Sequence, residues 1–163
     1  MLPPNSPTRS AIALSELRSS IVATHKVGGH TDYAIRVQAD RFDDLVYRRF
    51  SAFLQLQQLT RRHFQDHVVC CDGNKSCLLA PFLERVFVDT EFPVMQGCFL
   101  GKNSKTVVRE RVLFLNAFLL ELEESLCKCP PLVMTRCEKQ NCKITKLLKS
   151  FYGCLDVSGN NSD

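Results

Sequence analysis

The sequence has no tryptophan among its 163 residues and contains no long uninterrupted apolar run. Its longest apolar stretch, residues 112–122, is interrupted by Asn116 and Glu121. A membrane-spanning helix needs about 20 apolar residues, so this stretch is too short to cross a bilayer. Residues 1–9 carry prolines and polar groups but no apolar run, and we therefore expect no secretory signal.

A strong charge of either sign is also lacking. The 21 basic and 17 acidic residues give a net charge of +4, which favours anionic partners only slightly and does not indicate nucleic acid. The shares of hydrophobic residues, 45%, and of charged residues, 23%, are typical of globular proteins. A chain of this length can bury a core, and we expect a single domain with tails.

Cysteine, by contrast, is abundant, because the chain has nine. Without a secretory signal we expect a reducing compartment, in which most thiols stay free and pack as small apolar groups. The cluster with ligand-like spacing consists of Cys127, Cys129, Cys137 and Cys142. Its gaps of one, seven and four residues match no common structural zinc pattern. We therefore favour packing over a metal site and assign no metal ligands.

Alternating apolar and polar residues predict three β-strands. The first covers residues 21–27, the second residues 33–38 and the third residues 45–47. Gly28-Gly29 supplies a turn between the first two strands, and Asp40-Arg41 connects the second strand to the third. These short connections predict an antiparallel meander.

Helical periodicity replaces the strand alternation from about residue 51 onwards. Ser51 is expected to cap a helix that runs to about Phe64. The clearest helix starts near Ser104, and a last helix is predicted over residues 142–152. The apolar stripe of the clearest helix consists of Val108, Val112, Leu115, Leu119 and Leu122.

The regular pattern is lost between residues 67 and 103, apart from a short helix predicted within residues 78–88. An irregular segment of this length inside a compact domain is typical of a functional loop. We assign residues 1–17 to an N-terminal tail, residues 18–153 to the domain and residues 154–163 to a C-terminal tail.

Arginines occur at two positions that suit recognition of an anion. The heptapeptide Tyr47-Arg48-Arg49-Phe50-Ser51-Ala52-Phe53 places two arginines and an aromatic ring where the third strand meets a helix. Arginine binds phosphate oxygens bidentately, and an aromatic face covers a sugar or inositol ring. Arg111 lies about 60° from Val108 at the edge of the apolar stripe, so its stem packs on the core and its guanidinium is held in place. From the residues alone, a solvated surface arginine is the favoured interpretation of both motifs.

Together these motifs resemble the phox-homology (PX) domain. Residues 47–53 match its arginine-arginine-tyrosine/phenylalanine-x-x-phenylalanine signature, and residues 111–119 match its helix with a second arginine. The resemblance covers residues 18–153. It implies an α+β fold in which a three-stranded antiparallel meander sheet packs against a helical subdomain of three to four helices.

The resemblance also implies a function, the binding of phosphoinositides in endosomal or vacuolar trafficking or signalling. The usual ligand of the family is phosphatidylinositol 3-phosphate. By position, Arg49 would hold the 3-phosphate, Phe50 would stack under the inositol ring and Arg111 would bind the ring hydroxyls. Arg48 alternates with Arg49 along the strand and is expected to point away from this pocket.

In the PX family the loop between the two motifs dips into lipid. The side chains expected to insert beside the head group here are Val94, Met95, Phe99 and Leu100, although they could instead pack the loop onto the domain. The family's lysine after the loop prolines is missing behind Pro93, and Lys102 is the candidate replacement. Loss of such a charged contact weakens binding by about 1.5–3 kcal/mol.

Two alternatives to lipid binding stay open. The first is a protein-interaction module that keeps the PX fold without useful lipid affinity, as the missing lysine indicates. The second is a zinc-stabilised basic domain that binds nucleic acid, which requires the four C-terminal cysteines to hold metal. The sequence has no Gly-x-Ser-x-Gly and no His-Glu-x-x-His motif, so we expect neither catalysis nor a cofactor.

Overall fold

The computed structural model describes residues 12–66, 70–71, 73, 77–93 and 104–154. It confirms an α+β architecture with an open, three-stranded antiparallel sheet. The inner face of the sheet packs against helices, and the apolar side chains between the two layers form the core.

The sheet is the predicted meander. Its strands are β1 (Arg18–Val27), β2 (His30–Ala39) and β3 (Phe42–Arg49), paired in the order β1-β2-β3. Each strand is longer than its predicted segment. Gly28, at the turn between β1 and β2, has a φ angle of +58°, a left-handed conformation that glycine adopts without steric cost.

Five α-helices are present in the described residues, where the resemblance implied three to four. They are α1 (Phe50–Gln65), α2 (Ala80–Val88), α3 (Lys105–Lys128), α4 (Pro131–Lys139) and α5 (Lys143–Phe151), and a short 3-10 helix (Leu14–Glu16) precedes β1. The sequence did not predict α4, which begins at a proline, a residue that is favoured at the first position of a helix. None of these helices is both long and apolar enough to cross a membrane.

The N-termini of the two longest helices are defined by their caps. α3 starts near Ser104 as predicted, and the Ser104 hydroxyl caps it by accepting a hydrogen bond of 3.3 Å from the backbone N–H of Val107. The prediction that Ser51 caps α1 is wrong, because Arg49 is the N-cap residue and α1 follows β3 directly. Phe50 thus belongs to the first helical turn, where its ring packs 6.3 Å from that of Phe92.

The core extends into the segment that the sequence assigned to the N-terminal tail. Ile12, Leu14 and Leu17 are buried, and the 3-10 helix packs against α3, α4 and α5. Cys154, just beyond the predicted end of the domain, is also buried. The structure therefore places residues 12–17 in the folded domain.

Glu123 on α3 ties the helical layer to the sheet. It is 2% exposed and accepts hydrogen bonds from the backbone N–H of Ser19 (2.8 Å), from the Ser19 hydroxyl and from the hydroxyl of Tyr152 (2.8 Å). Burial raises the pKa of Glu123, and these donors act in the opposite direction. The contacts fix α3 relative to β1, and they thereby fix the helix that carries Arg111.

Candidate functional site

The two neighbouring arginines of β3 have different environments. The Arg48 guanidinium donates hydrogen bonds to the backbone carbonyls of Phe151 (2.9 Å) and Ser150 (3.0 Å) at the C-terminal end of α5. Cations are favoured there, because the last carbonyls of a helix lack partners within the helix. Arg48 therefore joins the sheet to α5, and it points away from Arg49 as predicted.

Arg49, the last residue of β3, is exposed. Within the part of the chain that the structure describes, its guanidinium makes no ion pair and no hydrogen bond. Its cross-strand neighbour is Asp32, whose carboxylate lies 3.1 Å from Nε2 of His30. Arg49 is thus a cation that is open to an incoming anion.

Arg111 projects from α3 towards the start of α1. It is only 8% exposed, and its guanidinium carbon lies 3.9 Å from the centroid of the Phe50 ring. This is a close cation–π contact. Burial raises the pKa of Tyr33 on β2, and the nearby positive charge of Arg111 opposes that effect. Arg111 is therefore a buried cation with aromatic neighbours. The interpretation that its position alone favoured, a solvated surface arginine, is wrong.

The Phe50 ring belongs to an aromatic layer that the sequence did not reveal. Phe92 lies 6.3 Å from Phe50, and its ring stands edge-on to those of Phe114 and Phe118, both at 5.0 Å. Such edge-to-face pairs stabilise aromatic cores. This layer holds the ring of Phe50 in place beneath the guanidinium of Arg111.

The residues predicted to insert into lipid lie outside the described residues. These are Val94, Met95, Phe99 and Leu100, and the same holds for Lys102. The segment leaves the described structure at Pro93, next to the aromatic layer, and re-enters it at Ser104, the cap of α3. One end of the segment therefore follows Phe92 directly, and the other end leads into α3, which carries Arg111.

We call Arg49, Phe50 and Arg111 the junction site, because Arg49 ends β3, Phe50 begins α1 and Arg111 of α3 packs on the Phe50 ring. The site offers one exposed and one buried guanidinium beside an aromatic ring. Guanidinium groups form charge-assisted hydrogen bonds with phosphate and donate to hydroxyl oxygens. The arrangement is thus suited to binding an anionic, hydroxyl-rich ligand.

A second constellation consists of four buried cysteines. We call Cys70, Cys71, Cys77 and Cys142 the thiol cluster. Their sulfur atoms all lie within 4.8 Å of one another. The distances Cys70–Cys71, Cys70–Cys142 and Cys77–Cys142 are each 3.7 Å. The cluster joins the connection between α1 and α2 to the N-terminus of α5.

The predicted four-cysteine set is therefore not the one that converges. Of its members, Cys142 belongs to the thiol cluster and Cys137 is buried nearby, whereas Cys127 is exposed. Cys129 is buried, with its sulfur 3.8 Å from the Pro130 carbonyl. The spacing Cys70-Cys71-x5-Cys77 in the irregular segment was the available signal, but its distant partner Cys142 is not visible in the sequence.

The thiol cluster favours negative charge on Cys142. Hydrogen bonding with its neighbours, above all the Cys77 thiol, lowers the pKa of Cys142 to about 4, although burial acts against this. The same contact, together with burial, raises the pKa of Cys77. His63 of α1 lies close enough for the charge of Cys142 to act on its pKa. Burial lowers the pKa of His63, and the charge of Cys142 opposes that effect. The four thiols of the cluster are thus electrostatically coupled, and His63 lies beside them.

Comparisons of the chain with known protein families, with curated proteins and with solved structures found no match. No family is therefore shown for this chain. Its resemblance to PX domains rests on the two arginine motifs of the sequence.

Proposed function

We propose that this protein is a PX-like module that binds phosphoinositides, with phosphatidylinositol 3-phosphate as the preferred lipid. In this role it recruits itself, or an unidentified protein partner, from the cytoplasm to the surface of endosomal or vacuolar membranes. The proposal assigns it no enzymatic activity, no cofactor in lipid binding and no nucleic-acid partner.

The observation that carries the proposal is the contact of Arg111 with Phe50. A guanidinium held 3.9 Å from a ring centroid has lost most of its side-chain freedom before any ligand arrives. Binding through such a group costs less conformational entropy than binding through a mobile surface arginine. In the proposal, Arg111 donates to the inositol hydroxyls at the inner end of the site.

Arg49 supplies the other contact of the proposal. It is exposed, and within the described ranges it has no competing partner of its own, so it can bind a phosphate without first breaking an ion pair. Phe50 follows it directly and gives the inositol ring an apolar neighbour. An anion that enters the site would thus meet Arg49 first and Arg111 deeper in the protein.

A specific observation supports the second candidate, a PX-like protein-interaction module with weak or lost lipid binding. Arg111 already covers one face of the Phe50 ring, and Phe92 packs against the same residue. This leaves less of the ring for an inositol. Together with the lysine missing after Pro93, it favours a site that has lost affinity for the head group.

Flotation with liposomes distinguishes the two candidates. Wild-type protein is compared with Arg49→Ala and with Arg41→Ala on vesicles with and without phosphatidylinositol 3-phosphate. Arg41 is an exposed arginine in the turn before β3, about 26 Å from Arg49 along the strand, so its removal changes net charge equally.

We expect wild-type protein and Arg41→Ala to float only with the phosphorylated lipid, and Arg49→Ala to lose at least ten-fold in binding. Absence of binding by folded wild-type protein would instead support the protein-interaction module. An equal loss of liposome binding in Arg49→Ala and Arg41→Ala would show that binding depends only on net charge. That result would overturn the assignment of Arg49 to the binding site.

A further inference from the structure

The sulfur atoms of the thiol cluster have the spacing of a tetrahedral metal site. Zinc–sulfur bonds are about 2.3 Å long, so the sulfurs of a zinc ion bound by four thiolates lie about 3.8 Å apart. Three sulfur pairs in the cluster are 3.7 Å apart, and all pairs are within 4.8 Å. Small movements would bring the four atoms to ideal zinc geometry.

The four cysteines of the thiol cluster are free thiols, and all four are buried. Disulfide-bonded sulfurs lie about 2.05 Å apart, much closer than the pairs seen here. Four thiols from three separate places in the chain therefore meet in one enclosed volume without being joined to one another. Burial also excludes water, so a cation held there would have only protein ligands.

The backbone is shaped to bring the two adjacent thiols to the same side. Cys71 has a φ angle of 42°, in the left-handed region that residues other than glycine rarely adopt. Neighbouring side chains of an extended chain point in opposite directions. The left-handed turn at Cys71 breaks that alternation, and the sulfurs of Cys70 and Cys71 lie 3.7 Å apart as a result.

The other two thiols are at the starts of helices. The Cys77 carbonyl accepts a hydrogen bond of 3.0 Å from the N–H of Ala80, the first residue of α2, and Cys142 is the N-cap residue of α5. The positive end of a helix dipole stabilises a thiolate, which is the form that binds metal. Cys142 therefore lies at the positive end of α5, and Cys77 lies two residues before the N-cap of α2.

We propose that Cys70, Cys71, Cys77 and Cys142 bind one structural zinc ion as four thiolates. On binding, the four S–H protons are released to solvent and four zinc–sulfur bonds form. Soft thiolate ligands select zinc over the hard cations magnesium and calcium. With four protein ligands the site has no open position, so it stabilises structure and does not catalyse.

The zinc ion joins segments that are far apart in the chain. Cys142 follows Cys77 by 65 positions, and Cys70 precedes it by 72. The ion would hold the irregular connection between α1 and α2 against the start of α5. That connection was predicted to be an irregular functional loop, and the metal gives its first part a structural purpose.

Cys137 is the one further thiol that could enter the site. It is fully buried, and its carbonyl accepts a 3.1 Å hydrogen bond from the N–H of Cys142. Its sulfur is not among the four that all lie within 4.8 Å of one another. We assign it to the surroundings of the site and not to the ligands, so its substitution should leave the metal bound.

Metal analysis of the wild-type protein is the first part of the test. The full chain is purified under reducing conditions and dialysed against metal-free buffer, and zinc is then counted by elemental analysis. Replacement of zinc by cobalt(II) adds a spectroscopic readout, because tetrahedral cobalt thiolates absorb strongly in the visible and near-ultraviolet range. We expect about one zinc per chain and the spectrum of four thiolate ligands. A folded, reduced protein with neither property would overturn the proposal.

Matched cysteine variants form the second part. Cys142→Ser and Cys70→Ser should lose nearly all bound zinc, whereas Cys129→Ser, which removes an equally buried thiol outside the cluster, should keep it. Cys137→Ser should also retain about one zinc per chain. If Cys137→Ser loses the metal and Cys70→Ser keeps it, the assignment of the four ligands is wrong. If a ligand variant does not fold, the cobalt spectrum of the wild type still decides the number of thiolates.

Discussion

The junction site and the thiol cluster both assemble side chains from distant parts of the chain, but they differ in access and in chemistry. The junction site has an exposed cation at its edge, and an anion can reach it from solvent. All four cysteines of the thiol cluster are buried, so solvent does not reach their sulfur atoms directly. The first arrangement suits a ligand that comes and goes, and the second suits an ion that stays.

Because of this difference, we expect the junction site to determine ligand binding and the thiol cluster to determine the stability of the fold. Arg49 is exposed and packs little, so its replacement should affect a ligand much more than the fold. The cysteines of the cluster bridge α2, α5 and the connection before α2, so their loss should affect the fold first. The predictions below test whether the two regions can be disturbed independently.

The largest expected effect is on stability, from removal of zinc. With free zinc 1,000-fold above its Kd, bound metal adds about 4 kcal/mol to the free energy of unfolding. A chelator should remove this contribution, which urea unfolding followed by circular dichroism will measure. The Arg49→Ala variant should unfold within about 0.5 kcal/mol of wild type. A chelator that leaves unfolding unchanged but abolishes lipid binding would contradict the separation of the two regions.

The second largest effect is expected on head-group binding, when Arg111 is replaced by lysine in the variant Arg111→Lys. Lysine keeps the charge but cannot stack its head on Phe50 or donate bidentately, so we expect a loss of about 1.5–3 kcal/mol, ten-fold or more, in head-group affinity. Calorimetry with a short-chain phosphatidylinositol 3-phosphate measures it. Arg109→Lys, at an exposed position of the same helix, is the control. Unchanged affinity in Arg111→Lys would place the ligand elsewhere.

The smallest effect is an expected gain, from Asp32→Asn. Asp32 lies opposite Arg49, and its carboxylate repels an incoming phosphate. Removing that charge should tighten binding two- to five-fold, on the order of 0.5–1 kcal/mol, and less at high salt. Asp40→Asn, in the exposed turn before β3, removes the same charge at a distance. An equal gain in both variants would show that net charge, and not the position of Asp32, is responsible.

The sheet, α1 and α3 were predictable because burial on one face imposes a period on the sequence. The alternation in β2 placed Tyr33, Ile35 and Val37 on one face, and all three are buried. The same reasoning placed Arg111 at the edge of the stripe of α3. The grouping of Arg49, Phe50 and Arg111 into one site came from the resemblance to the PX family, and their role in binding stays a prediction.

The thiol cluster and the aromatic layer were not predictable in this way. Cys70, Cys71 and Cys77 lie in a segment without a period, and their partner Cys142 is brought to them only by the packing of α5. Phe92 likewise joins Phe114 and Phe118 through the tertiary fold alone. Contacts of this kind depend on how elements pack and leave no local pattern.

The most direct test of the central claim is a nuclear magnetic resonance titration with short-chain phosphatidylinositol 3-phosphate. We predict shifts at the backbone amides of Arg49, Phe50 and Arg111, no shifts at Cys77 and Cys142, and loss of the response in Arg49→Ala. Shifts centred elsewhere, or an unchanged response in that variant, would contradict the claim that the junction site binds the head group.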